Sequence, residues 1–335
     1  MRGDPGSAFP FRVPGAGFLL TSGLLLWAAA CGPTELDASP EAGALPDTAS
    51  AASALATDNG MTANGLVTNG LVTNGLVTNG LVTNGLATNG LALGDLQTAP
   101  FQIWFNSNPT SYSDMVMHYV VSCALRSGES LTWQNPRTGT RYTWYGLLGL
   151  TPGWASGNPA TETEQQLITA CLAAHVNKYG RHVQFSINGV NALGQPLPFD
   201  PITEPQDFAV TEACFFGNLF NGEGVFAAND RTKLDPSEST SRGCGLSSQA
   251  SGLSHECAPM VHVGMCKSYC VYDSKKMMYV SCSYNGKRYS PLTTRIRTTD
   301  VFECGDGVCQ FTESCGTTRD SNTYDNCGVD CGVCP

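Results

Sequence analysis

Fifteen cysteines constrain this 335-residue chain more than any other feature. One, Cys31, stands alone near the start. Eight lie in the middle: Cys123, Cys171, Cys214, Cys244, Cys257, Cys266, Cys270 and Cys282. Six close the chain: Cys304, Cys309, Cys315, Cys327, Cys331 and Cys334. The two larger groups are even, as a disulfide framework requires, which leaves Cys31 over. Paired cysteines need an oxidising compartment, so the count predicts an exported chain. The final group falls within residues 304–335. So short a segment cannot fold on an apolar core, and three disulfides are expected to hold it as a small cysteine-rich module.

The start of the chain agrees with export. Arg2 and Arg12 precede an uncharged apolar run, Phe18 to Ala30. That run is too short to span a bilayer and suits the apolar region of a signal peptide over residues 1–30. Ala28, Ala29 and Ala30 lead directly into Cys31. Small residues before a cysteine resemble the lipobox of bacterial lipoproteins, with Ala28 where Leu is commonest. The resemblance implies that Cys31 carries lipid and attaches the protein to a membrane. Gly32 is not the Asp that retains some lipoproteins at the inner membrane, so an outer-membrane, periplasmic or surface-facing location is expected.

Residues 32–58 are rich in Ala, Ser, Pro, Thr and Asp and lack apolar periodicity. A five-residue period follows. Asn-Gly-Leu-Val-Thr occurs four times between Asn64 and Thr83, a degenerate copy precedes it and two variants run to Leu93. Asn-Gly favours turns, and so few repeats make a poor solenoid, so residues 31–98 read as a low-complexity, disordered tether. Its r.m.s. span would be about 45 Å.

Residues 99–303 are long enough for one core. Tyr112 to Leu125 and Thr161 to Tyr179 carry helical apolar spacing. Thr161 and Glu164 form a capping-box pattern. Cys123 and Cys171 fall on these two helices, and a bridge between them would fasten the pair. Leu131–Trp133 and Arg141–Trp144 flank a turn, His182–Ile187 alternates as a strand, and Met277–Tyr284 meets Asn285-Gly286 as a β-hairpin. Helices early and strands late make the fold class α+β: one disulfide-rich domain, then the module, behind a long tether.

The formal net charge is −10. Residues 300–335 hold seven acids and one base. A chain of this balance does not bind nucleic acid by tracking phosphates, which takes clustered Lys and Arg. Asp306, Glu313, Asp325 and Asp330 can supply oxygen ligands, which makes Ca²⁺ in the module the one cofactor the sequence suggests. Solvated acids on a loop surface are the alternative. No Gly-x-Ser-x-Gly and no His-Glu-x-x-His occurs. If a site is assembled from distant residues, His255, Glu256 and His262 are its first candidates. All four tryptophans outside the signal segment fall between 104 and 154. Trp133, Trp144 and Tyr145 on a rigid hairpin can stack on a glycan or anchor an envelope protein, unless they fill the core. Strand alternation puts Trp144 and Tyr145 on opposite faces.

Taken together, Asn-Gly-Leu repeats after a lipobox, MHYVVSCAL, GLLGLTPGWA, ACLAAHVNKYG, ACFFGNLF and the CGDGVCQ tail resemble a group of cysteine-rich lipoproteins of myxobacteria. The resemblance covers nearly all of the chain beyond Cys31. It implies an envelope location and transfers no catalytic residue. The expectation is therefore a lipid-anchored envelope protein with a non-catalytic binding or structural ectodomain. The alternative is a secreted-type hydrolase acting on cell-wall or extracellular polymer, marked by a pocket in which a histidine meets a carboxylate.

Overall fold

A computed structural model describes the backbone of residues 56–59 and 61–62, and residues 86–179, 181–231, 234–246, 257, 260–319 and 321–335. The expected signal segment, Cys31, repeats 63–85, His255 and Glu256 lie outside the described residues. All described residues belong to one unit, 50–335.

Three helices form one layer: α1 (Ala99–Ser107), α2 (Thr110–Ala124) and α3 (Glu162–Ala174). Thr161 caps α3, and Glu164 returns the bond to the Thr161 N–H, completing the capping box. The helix stops at His175, short of the Gly180 that the spacing suggests, because Val176–Asn177 turns into a short strand. Cys123 of α2 is bridged to Cys171 of α3.

The strands are β1 (Ala56–Asn59), β2 (Met61–Thr62), β3 (Ser130–Gln134), β4 (Arg141–Tyr145), β5 (Val176–Asn177), β6 (Val183–Asn188), β7 (Val210–Asn218) and β8 (Gly224–Asn229). They continue with β9 (Glu238–Thr240), β10 (Val261–Met265), β11 (Cys270–Asp273), β12 (Met278–Tyr284), β13 (Lys287–Tyr289), β14 (Leu292–Ile296) and β15 (Val301–Glu303). The main sheet has six strands in the order β1-β6-β14-β7-β8-β10. Its pairings are antiparallel except β8 with β10. One face packs under α3 through Phe185, Ile187, Ala213, Phe215 and Leu292. The other face packs against the three-stranded sheet β11-β12-β13 through Cys214, Phe216, Phe226, Tyr279 and Tyr289. The architecture is α+β in three layers. Asn285 and Gly286 both have positive φ, the geometry that joins β12 to β13 by a two-residue turn.

The domain starts earlier than residue 99. Leu86 and Leu91, from the last two repeats, are completely buried. The Trp154 indole donates to the Leu86 carbonyl at 2.6 Å. A Cβ on Gly90 would meet the Gly157 backbone at 2.4 Å, so this repeat glycine is needed for close approach. Upstream, β1 pairs with β6 and β2 with β5. Both ends of the repeat run therefore lie on the fold. The boundary expected at 98–99 moves because uncharged Leu-bearing repeats can bury apolar surface where the domain offers it a place.

The tail closes on itself through Cys304–Cys327, Cys309–Cys331 and Cys315–Cys334. It also docks on the domain. β15 pairs with β9, Ser239 Oγ donates to Thr312 Oγ1 at 2.8 Å, and the Arg181 guanidinium lies 4.0 Å over the Phe311 ring.

Candidate functional site

The most polar concentration of side chains lies in the tail. Gly305 and Gly307 have positive φ, which lets the loop turn tightly enough for both N–H groups to reach one carboxylate, Asp330. The Cys309–Cys331 bridge holds the loop beside Asp330. Asp306 accepts from the Val308 N–H at 2.8 Å and from the Gln310 amide at 2.6 Å. Glu313 Oε2 accepts from the Gln310 N–H at 3.1 Å. Two acceptors in this corner, Gln310 Oε1 and Glu313 Oε1, are sealed from solvent with no donor. Burial raises the Glu313 pKa, and the charges of Asp330 and Asp306 raise it further.

Of the four acids, Asp306 and Glu313 are linked through Gln310, Asp330 holds the Gly305 and Gly307 N–H groups and Asp325 is exposed; among the described residues no group of three ligand-type atoms within 4.8 Å contains two of them. The ligand-type atoms of Cys309, Glu313 and Cys331 lie within 4.8 Å of one another, as do those of Cys304, Cys327 and Asp330. All four of these cysteines are in disulfides, so only oxygen atoms are left to ligate. Such an oxygen-rich corner can hold a hard cation.

The aromatic expectation is corrected. Trp133 and Trp144 are 0% and 2% exposed, so neither can stack on a ligand. They share a strand face with Leu131, and α1 covers that face with Phe101 and Phe105. The Trp144 indole is satisfied by Asp114 at 2.7 Å. Tyr145 points the other way and is 66% exposed, a single ring without an aromatic partner beside it on that strand.

The histidines are dispersed. His175 is fully buried at the end of α3, with Nδ1 2.7 Å from the Cys171 carbonyl and its ring against Tyr119 and Phe185. Burial depresses its pKa to about 4. His262 bonds to the Asn229 side chain, and burial lowers its pKa too. Two open grooves of about 500 Å³ flank the domain. Neither is lined by a histidine, and in one of them Arg231 is locked to Glu238 by two bonds of 2.9 Å.

Sequence reasoning missed the deepest polar pair. Arg242 Nε lies 2.8 Å from Glu212 Oε1, and both side chains are 0% exposed. Thr294 donates to the second Glu212 oxygen at 2.7 Å, and the guanidinium stacks 4.0 Å from the Phe185 ring. Among the described residues Arg242 Nη1 and Nη2 have no hydrogen-bond partner. Nothing local marks an arginine in a Gly- and Cys-rich loop as a core residue, so no sequence signal was there to find it.

Residues 59–92 match the GLTT repeat family in six copies. The match is confined to the repeats, and both of its ends fall on segments held by the fold. No curated protein and no solved structure matches the chain.

Proposed function

We propose that this chain is a lipid-anchored envelope protein whose ectodomain binds rather than catalyses. One observation carries the exported, anchored part of the reading. Seven disulfides consume fourteen of the fifteen cysteines, which leaves Cys31 as the one without a partner. So many bridges belong to an extracytoplasmic, oxidising compartment. Among the described residues no helix is long and apolar enough to cross a membrane, and in this reading the Cys31 lipid provides the attachment. The resemblance to cysteine-rich lipoproteins of myxobacteria supports the same assignment, and Gly32 favours the outer membrane.

The test is detergent phase partition with fatty-acid labelling. The wild type is expected in the detergent phase carrying label. Cys31→Ala is expected in the aqueous phase without it, because two or three acyl chains hold a protein firmly and their loss leaves little. An unlabelled, aqueous wild type would refute the anchor.

A second feature concerns the tail. The sealed acceptors Gln310 Oε1 and Glu313 Oε1, with Asp306 bonded to Gln310, support a hard cation in that corner, and Ca²⁺ is the ion proposed. Millimolar calcium is expected to raise the melting temperature of the full chain by a few degrees over chelator. Glu313→Gln should abolish that rise. Identical melting in calcium and chelator would leave these acids with a loop-pinning role alone.

A further inference from the structure

The sequence is acidic overall, yet residues 260–299 hold seven of its 18 bases and one acid, Asp273. Arg295 lies on β14 of the main sheet with Arg297 just after it, and the other five bases lie on or beside the three-stranded sheet β11-β12-β13. Its inner face is consumed by Cys270, Cys282, Tyr279 and Tyr289. Strand alternation therefore turns Val271, Ser283 and Arg288 outward. Val271 pairs with Ser281 and Tyr272 with Tyr279, which leaves Val280 as the extra residue on β12. The exposed apolar residues of that face are Val271 (62%) and Val280 (36%), while Tyr272 pairs with the inward Tyr279 and rests its ring on it at 5.0 Å.

Bases stand at both ends of that face. Lys275 and Lys276 are exposed on the β11–β12 turn, and Lys267, Lys287 and Arg288 are exposed near the other end. Lys287 is paired with Glu223 at 3.1 Å, and Lys276 reaches Asp273 only at 4.0 Å. Lys267 and Lys275 face no acid in any ion pair among the described residues, and the Arg288 side chain donates to Ser281 Oγ at 3.1 Å and forms no ion pair among them. A uniform charge of −10 would repel an anionic surface. Here the charge is segregated: the acid-rich tail docks at β9, on a different sheet from this one.

We propose that the outer face of β11-β12-β13 docks on an anionic phospholipid surface. The choice of a membrane over another polyanion rests on the envelope reading above and on the chemistry of the face. Its exposed apolar residues are two valines, suited to the boundary between headgroup and acyl chain. It lacks the flat paired rings that stack on sugars. Its rim of lysines and arginine matches phosphate headgroups in charge. Docking would lay the domain against the bilayer that the lipid already keeps close.

The test uses the full chain carrying Cys31→Ala, so that vesicle binding is independent of acylation. Vesicles of phosphatidylcholine with and without phosphatidylglycerol are sedimented with it. Binding is expected only with the anionic lipid, and it should weaken steeply as salt rises. Each base near an anionic surface is worth about fivefold in affinity, so Lys267→Glu, Lys275→Glu and Arg288→Glu together should cost at least about a hundredfold. Circular dichroism and a thiol count matching the parent protein establish that the triple variant is folded. Equal binding of the triple variant, or no preference for anionic vesicles, overturns the proposal. So does an acidic polysaccharide that binds with the same three-residue dependence while vesicles do not. Loss of the anchor reading alone would show as an aqueous wild type whose Cys31→Ala form still binds anionic vesicles.

Discussion

The domain and the C-terminal module are held together in opposite ways. In residues 86–303 an apolar core exists without its bridges: Phe101, Phe105, Trp133 and Trp154 fill the space beneath the helices, and Phe215, Ile187 and Leu292 line the sheet. Cys123–Cys171 fastens helices that already pack. In residues 304–335 the buried apolar groups are Cys304, Tyr324 and Cys327. There the buried Cys304–Cys327 bridge stands where a core would be, and the two bridges nearer the surface and the carboxylates pin the loops. One chain thus shows that a disulfide can reinforce a fold or replace its interior, depending on how much apolar surface the segment can bury.

The sharpest way to break this contrast is to attack the domain where no bridge helps it. Glu212→Gln strands Arg242 as a buried cation and should destabilise the domain by about 3–5 kcal/mol. Urea unfolding followed by tryptophan fluorescence reads it, since Trp133, Trp144 and Trp154 are buried there. Replacing Glu212 and Arg242 together by Leu and Met should restore much of the loss. A single substitution costing under about 1 kcal/mol would mean that the pair is not sealed as the geometry has it.

Removing a bridge from the module tests the other half. Cys304→Ser with Cys327→Ser opens a bridge of sequence separation 23, with about 3 kcal/mol expected from chain entropy. The loss should appear as fast hydrogen exchange confined to residues 304–335. The equivalent removal of Cys123 and Cys171 should lower the domain's stability and leave its exchange pattern intact. If both variants lose protection throughout the chain, the distinction between the two regions fails.

Acid should separate the two regions by sign. His175 has a folded pKa of about 4, below its unfolded value, because burial disfavours the imidazolium. Its contribution is present above pH 6.5 and is lost as pH falls, by about 2 kcal/mol at pH 5. Glu313 behaves oppositely. Its pKa is raised in the fold, so protonation favours the folded module, and its effect on stability turns unfavourable as pH rises through that value. Thermal melts from pH 8 to pH 5 should weaken the domain, and His175→Gln should flatten that slope. Protection of the tail, corrected for the intrinsic exchange rate, should not fall with acid as the domain's stability does, and a tail that loosens in acid would contradict the assignment.

Several elements were legible in the residues because their causes are local. The capping box at Thr161 and Glu164, the Asn285-Gly286 turn, the β3–β4 hairpin and helix α2 depend on neighbours within a few positions. The odd cysteine was legible too, since parity needs no structure. The hairpin's alternation separated Trp144 from Tyr145, but which face would be covered depended on α1, a partner that alternation does not name.

Tertiary structure alone decided the rest. It inserted β14 between β6 and β7, although these strands are far apart in the chain. It drew residues 56–59 onto the sheet edge and buried Leu86 and Leu91 of the last repeats. It also placed Arg242 against Glu212. By themselves the residues determined an oxidised chain with a lone cysteine and the local shapes of its helices and turns, because composition, parity and periodicity act at short range. The fold determined what is buried, since burial belongs to pairs of surfaces and each partner surface comes from elsewhere in the chain.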